Sequence, residues 1–161
     1  MLNKRQFESG PVRKALIVLA SAVCMPASGA PALAEAGGEA FTREAGAGDL
    51  EWGPCPEFLP EGCRIAVLQG DPAQPNADIF FRLPGGAAAE RHWHHSAERM
   101  VLVSGELQVD YDGQEPVVLR PGTYAYGPAE LPHSAECRSA EPCVLFIAFE
   151  EPVDAMPGEP D

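Results

Sequence analysis

Beyond Lys14 the 161-residue sequence contains no lysine. From Glu35 to the C-terminus seven arginines face 23 acidic residues, a balance of 7 − 23 = −16. A surface of that sign repels phosphodiester backbones and anionic lipid, so neither nucleic acid nor a membrane surface is expected as a partner. A sustained 3.6-residue apolar period is also missing, which speaks against a helical fold, and there is no internal repeat. The longest apolar run, Ala15 to Met25, has eleven residues, well short of the ~20 that a spanning helix needs.

That run sits inside a three-part pattern. Lys4, Arg5, Arg13 and Lys14 precede it, and a stretch rich in small residues containing Ala32-Leu33-Ala34 follows it. Such a pattern reads as a secretory signal peptide over residues 1–34, with cleavage after Ala34. The expected location is periplasmic or secreted, with no membrane insertion after cleavage. Lys4-Arg5-Gln6-Phe7 resembles a twin-arginine signal with Lys in the first Arg position, so the general and the twin-arginine export routes both stay open. Cys24 follows Ser21-Ala22-Val23, which departs from a lipoprotein box at two positions, and a soluble form is expected rather than a lipid-anchored one.

Residues 35–50 are rich in Gly, Ala and Glu and read as a flexible linker; residues 154–161 read as a loose acidic tail. Between them, from 51 to 153, glycine and proline recur throughout, 16 + 17 = 33 of the 161 residues in the whole chain. They punctuate short apolar runs: 64–68, 78–83, 100–103, 106–111, 116–119, 123–126 and 144–149. Seven or more strands at this spacing predict an all-β, antiparallel sandwich or barrel. Four cysteines remain after cleavage, Cys55, Cys63, Cys137 and Cys143. An even count in an exported chain implies disulfides, with three pairings open. The expected pairs are Cys55–Cys63 and Cys137–Cys143, because each closes a short loop.

The chemistry concentrates in the histidines, of which there are four. His92 and His94 are two apart, so in a strand both imidazoles point to one side. Glu98 follows across a bend and adds a carboxylate. Imidazole with carboxylate is a ligand set for transition metals. His95 has the opposite parity and should face away unless the strand bends; its second reading is a direct role, supporting a ligand or gating the site. Trp93 should pack on the outside of its sheet, and Tyr124 and Tyr126 either line a pocket or belong to the core.

Gly86, His92, His94, Glu98 and Gly105 together resemble the first cupin motif, G-x5-H-x-H-x3-4-E-x6-G, at every spacing. Gly122, Pro128 and His133 match the second, G-x5-P-x-G-x2-H-x3-N, in which Glu130 replaces a glycine and Cys137 replaces the asparagine. The resemblance covers about residues 60–150 and implies a single-domain cupin, an antiparallel jelly-roll β-barrel of the small bacterial kind. It implies His92, His94, Glu98 and His133 as ligands of one divalent transition metal ion (Fe, Mn, Ni, Zn, Co or Cu), with Glu98 also able to detach and act as a base. Cys137, standing where the family has asparagine, has a second reading as a redox-active thiol. Cupins often dimerise, so a homodimer is admitted. The expected function is a small metal-dependent enzyme of dioxygenase type acting on a small organic substrate. The alternative is a non-catalytic periplasmic binder or sensor of a ligand or metal. Residues from Ile65 to Asp71 onward resemble the cupin part of zinc-binding anti-sigma factors, which supports that alternative, although that family's helical zinc-binding domain has no counterpart here.

Overall fold

The computed structural model describes residues 39–160. The expected signal peptide, its cleavage site and Cys24 lie outside them. Among the described residues there are eleven strands and no helix: β1 Gly53–Pro54, β2 Arg64–Gln69, β3 Asp78–Leu83, β4 Ala88–Trp93, β5 Glu98–Ser104, β6 Leu107–Tyr111, β7 Val117–Leu119, β8 Tyr124–Gly127, β9 His133–Cys137, β10 Cys143–Phe149 and β11 Met156–Pro157. All seven apolar runs singled out by their turn residues are strands. β4 and β9, which carry the histidines, lack that apolar signal.

The strands form two antiparallel sheets, one in the order β1-β2-β3-β10-β5-β8 and the other β11-β4-β9-β6-β7. No strand of one sheet pairs with the other among the described residues, so the jelly roll is two facing sheets rather than a closed ring. Alternation explains which side chains face inward. Leu107, Val109 and Tyr111 of β6, and Leu145, Ile147 and Phe149 of β10, are buried in one shared core, while the residues between them on β6 are only partly buried. β10 lies between β3 and β5 and is paired along most of its length with both.

One break in this alternation positions the site. Ala89 pairs with Ala135, and His92 with His133, so three steps on β4 oppose two on β9. The extra residue is a β-bulge, which re-aims the side chains that follow it. Strict alternation from the buried Ala89 would turn Arg91 inward. The bulge instead sends His92 to the interior and leaves Arg91 outside, paired with Asp112 and Glu159.

Both ends of the described chain differ from expectation. The region read as a flexible linker is folded in part: Ala45 and Leu50 pack with Trp52 against Ala66, Phe80 and Val144. Arg82 donates to the Ala45 carbonyl and lies over the Trp52 ring. At the other end, the acidic tail is tied down. β11 pairs with β4, and the buried Ser96 hydroxyl accepts from the backbone N–H groups of Glu150 and Glu151 at 2.9 and 3.0 Å. Tyr124 and Tyr126, expected in a pocket or the core, are exposed on the edge strand β8.

Both expected disulfides are present. Cys55–Cys63 and Cys137–Cys143 have Cα separations of 5.6 and 5.7 Å, within the usual range. Cys137 is therefore no free thiol. Two disulfides are compatible with an oxidising compartment, and no helix among the described residues is long and apolar enough to cross a membrane.

The departure from the motif at Glu130 is structural. Glu130 has φ of +60°, the left-handed conformation that glycine adopts without penalty. The turn keeps the geometry of a glycine and imposes it on a glutamate. It also matters for the site, because the Glu130 N–H donates to the His94 carbonyl at 2.8 Å. Glu130→Gly should therefore stabilise the fold by about 1 kcal/mol. Denaturant unfolding of the two proteins measures this; a lower midpoint for the glycine variant would contradict it.

Candidate metal centre

Three imidazoles converge between the sheets. His92 lies near the end of β4, His94 just after it, and His133 at the start of β9, directly opposite His92 in the register. One ring nitrogen from each lies within 4.8 Å of the others. The ring centroids are 4.4 Å apart for His92–His133, 5.0 Å for His92–His94 and 5.3 Å for His94–His133. All three residues are buried.

Backbone carbonyls fix the tautomer of each ring. His92 Nδ1 is 2.7 Å from the Glu90 carbonyl, His133 Nδ1 is 3.1 Å from the Leu131 carbonyl, and His94 Nδ1 meets the Asp154 carbonyl. A carbonyl only accepts, so each Nδ1 carries the proton and donates. Each Nε2 is then a bare lone pair. The His94 Nε2 is buried without a hydrogen-bond partner.

Glu98 opens β5 and faces these nitrogens. Its Oε1 is 3.4 Å from His94 Nε2 and its Oε2 is 3.6 Å from His133 Nε2. Two bare lone pairs cannot hydrogen-bond to an ionised carboxylate, and the spacing matches donors of one coordination sphere with bonds of about 2.0–2.2 Å. The donor set, the approach of one nitrogen from each ring and the orphaned His94 Nε2 all fit a transition metal ion. Gly127 makes room for the carboxylate, since a Cβ there would lie 3.3 Å from Glu98 Oε2.

His95 turns away, as its parity requires, and its exposed ring bonds the Asp154 carboxylate. The same Asp154 supplies the carbonyl that orients His94, so His95 bears on the site through the tail. Trp93 also points away from the three imidazoles' side and lies 4.6 Å from the His95 ring. Sequence reasoning missed four contributors: Asp154, Ser96, Gly127 and Tyr111. Tyr111 could have been found, because it shares parity with Leu107 and Val109. It pairs with His133 in the register, and its buried hydroxyl has no partner. Burial, with Glu98 nearby, pushes that hydroxyl up to about 12. No local signal marks Asp154.

A cavity of about 160 Å³ adjoins the three histidines, with Glu98 and Asp154 also on its wall. Pro56 and Leu59, in the loop closed by Cys55–Cys63, and Val153, just before the tail, also line it.

Burial dominates the electrostatics. It holds His92 and His133 down at about 4, lowers His94, and pushes Glu98 up to about 7 in the absence of a cation. In the unfolded chain histidine titrates near ~6.5 and glutamate near ~4.3. At about pH 5–6, unfolding therefore takes up protons at His92 and His133 and releases one at Glu98. His94 adds to the uptake, giving a net of about one to two protons. Stability rises with pH where the unfolded state binds more protons. The metal-free protein should thus weaken on acidification from about pH 6.5 to 4.5, by about 1.4 kcal/mol per pH unit for each net proton. Urea unfolding of chelator-treated protein across this range measures the slope, and His133→Gln should flatten it by about one proton. An unchanged slope in that variant would contradict the buried neutral imidazole.

Comparison with known proteins agrees with this architecture. Residues 79–149 match the model of the cupin domain family. The DMSP lyase DddQ from Ruegeria pomeroyi DSS-3 superposes with a TM-score of 0.56 at 18% identity, over 65% of this chain and 58% of that one. An RmlC-like cupin from Shewanella frigidimarina NCIMB 400 gives 0.53 at 23% identity, over 65% and 86%. The formate complex of oxalate decarboxylase from Lactobacillus farciminis gives 0.53 at 20%, over 65% and 32%. The chain thus spans about three fifths of the lyase and a third of the decarboxylase. At these identities the likeness shows the fold. No curated protein sequence matches the chain.

Proposed function

We propose, from the match of residues 79–149 to the cupin domain model and the buried three-histidine group within that span, a metal-dependent enzyme acting on a small organic molecule, of dioxygenase type. The observation that carries this reading is the cavity beside the three bare Nε2 atoms. A site that only held structure or sensed metal would have no need of such space. His92, His94 and His133, with Glu98, are the ligands in this reading. One divalent transition ion (Fe, Mn, Ni, Zn, Co or Cu) is the cofactor. When bound, such an ion polarises a coordinated substrate and activates dioxygen or water.

The protein's own part is orientation and proton handling. The three carbonyl-pinned imidazoles stay neutral and fixed. Glu98 is assigned two roles, ligand and base. Burial raises its carboxyl and a bound cation lowers it again, so the base role falls to the carboxylate once it has left the ion. The core walls of the cavity exclude bulk water. The proposed setting is the periplasm or the exterior, reached through the signal peptide, with a small molecule as the partner rather than nucleic acid or membrane.

Elemental analysis of protein isolated from its own compartment should find about one transition metal ion per chain. Replacing His92, His94 or His133 with Ala should weaken the metal more than about 100-fold, and His95→Ala about tenfold, since it acts only through Asp154. Equal losses at all four positions would contradict the assignment. Dioxygen uptake on addition of substrate, read with an oxygen electrode, decides between enzyme and binder. Ligand binding without uptake or product would sink the dioxygenase and leave the periplasmic binder.

A further inference from the structure

The chemistry of the cavity wall says what kind of molecule the site accepts, granted the metal reading above. Apart from the three histidines, Glu98 and Asp154, every residue lining the cavity is Pro, Leu, Ile, Phe, Ala, Met or Val. None of these side chains carries a nitrogen or oxygen. Ile79, Leu107, Val109, Leu145 and Ile147 close the volume from both sheets.

No cation reaches this space among the described residues. Their positive charge is seven arginines, and each is engaged elsewhere. Arg91 pairs with Asp112 and Glu159, Arg99 with Glu150, and Arg120 with Glu106. Arg138 donates to Gln108 and Arg64 to the Cys63 carbonyl. Arg82 lies over Trp52, and Arg43 over Phe41. The two acids on the wall are also committed, Asp154 to His95 and Glu98 to the space between His94 and His133.

We propose that the site takes a small, uncharged, mostly apolar molecule that presents a single donor atom to the metal. A charged tail or a row of hydroxyls would be stripped of water and find no partner, which is costly in such surroundings. The size limit follows from the volume, because an engineered apolar cavity of about 150 Å³ holds benzene. Sugars and dicarboxylates are therefore excluded, and a compact ring or short branched chain bearing one oxygen, nitrogen or sulfur donor is favoured.

Three pyridines of nearly equal shape test this: 4-isopropylpyridine, isonicotinate and pyridine-4-carboxamidine, whose 4-substituents are neutral, anionic and cationic. Each is titrated into the Co(II)-loaded protein, following the visible Co(II) spectrum, and corrected for its affinity for free Co(II). The neutral pyridine should bind at least tenfold more tightly than either charged one. Equal or tighter binding of a charged pyridine, or binding of none of the three to a Co(II)-loaded site, overturns the proposal and leaves the metal reading standing. If the protein takes up no Co(II) at all, the metal reading fails and this one with it.

Discussion

The hydrogen bonds from three Nδ1 atoms to three backbone carbonyls are what the site rests on. Two reach a carbonyl two residues back along the chain, Glu90 on β4 and Leu131 before β9, and the third crosses the fold to Asp154 in the C-terminal segment. Because the carbonyl takes the Nδ1 proton, the other nitrogen is left with its lone pair aimed inward. A buried, neutral imidazole is otherwise expensive to keep unpartnered. Three such nitrogens beside a buried carboxylate form an arrangement whose natural complement is a cation.

The supports behind those bonds explain several features that otherwise look incidental. Ser96 clamps the chain just after β10, and so delivers Asp154 to His94 and His95. The strained backbone at Glu130 lets its N–H reach the His94 carbonyl. The glycine at 127 keeps the space that Glu98 occupies. Outer contacts of this kind orient the inner groups and are as much a part of a metal site as the ligands.

The rest of the cavity is built on a different principle. Its walls are the inward-facing residues of two sheets, selected by alternation and dispersion packing rather than by polarity. The outcome is a polar point at one end of an apolar chamber. Among the described residues the acidic excess stays on the outside, with all seven arginines, so the cavity is electrostatically quiet except at Glu98 and Asp154. Burial is what lifts Glu98 toward neutrality and lowers the histidines, and a bound cation would reverse the first of these.

The linear sequence determined the all-β class, the strand positions with strong apolar alternation and the shared side of His92 and His94; it narrowed the disulfides to three pairings, and Glu98 and His133 entered through the resemblance to the cupin motifs. These are local patterns or short loops, and a period of two or a six-residue separation can be read without the fold. Tertiary structure alone decided that β4 bulges between Ala89 and His92, because a bulge is defined by the register of a partner strand, here with His133 opposite His92, 133 − 92 = 41 residues away. It also decided that residues 45–50 cover the outer face of a sheet and that the tail returns as β11. Nothing near Asp154 in the sequence marks its carbonyl as the acceptor for His94. That role exists only because Ser96 and β4 hold a segment from the far end of the chain, and contacts between distant segments leave no local period to read.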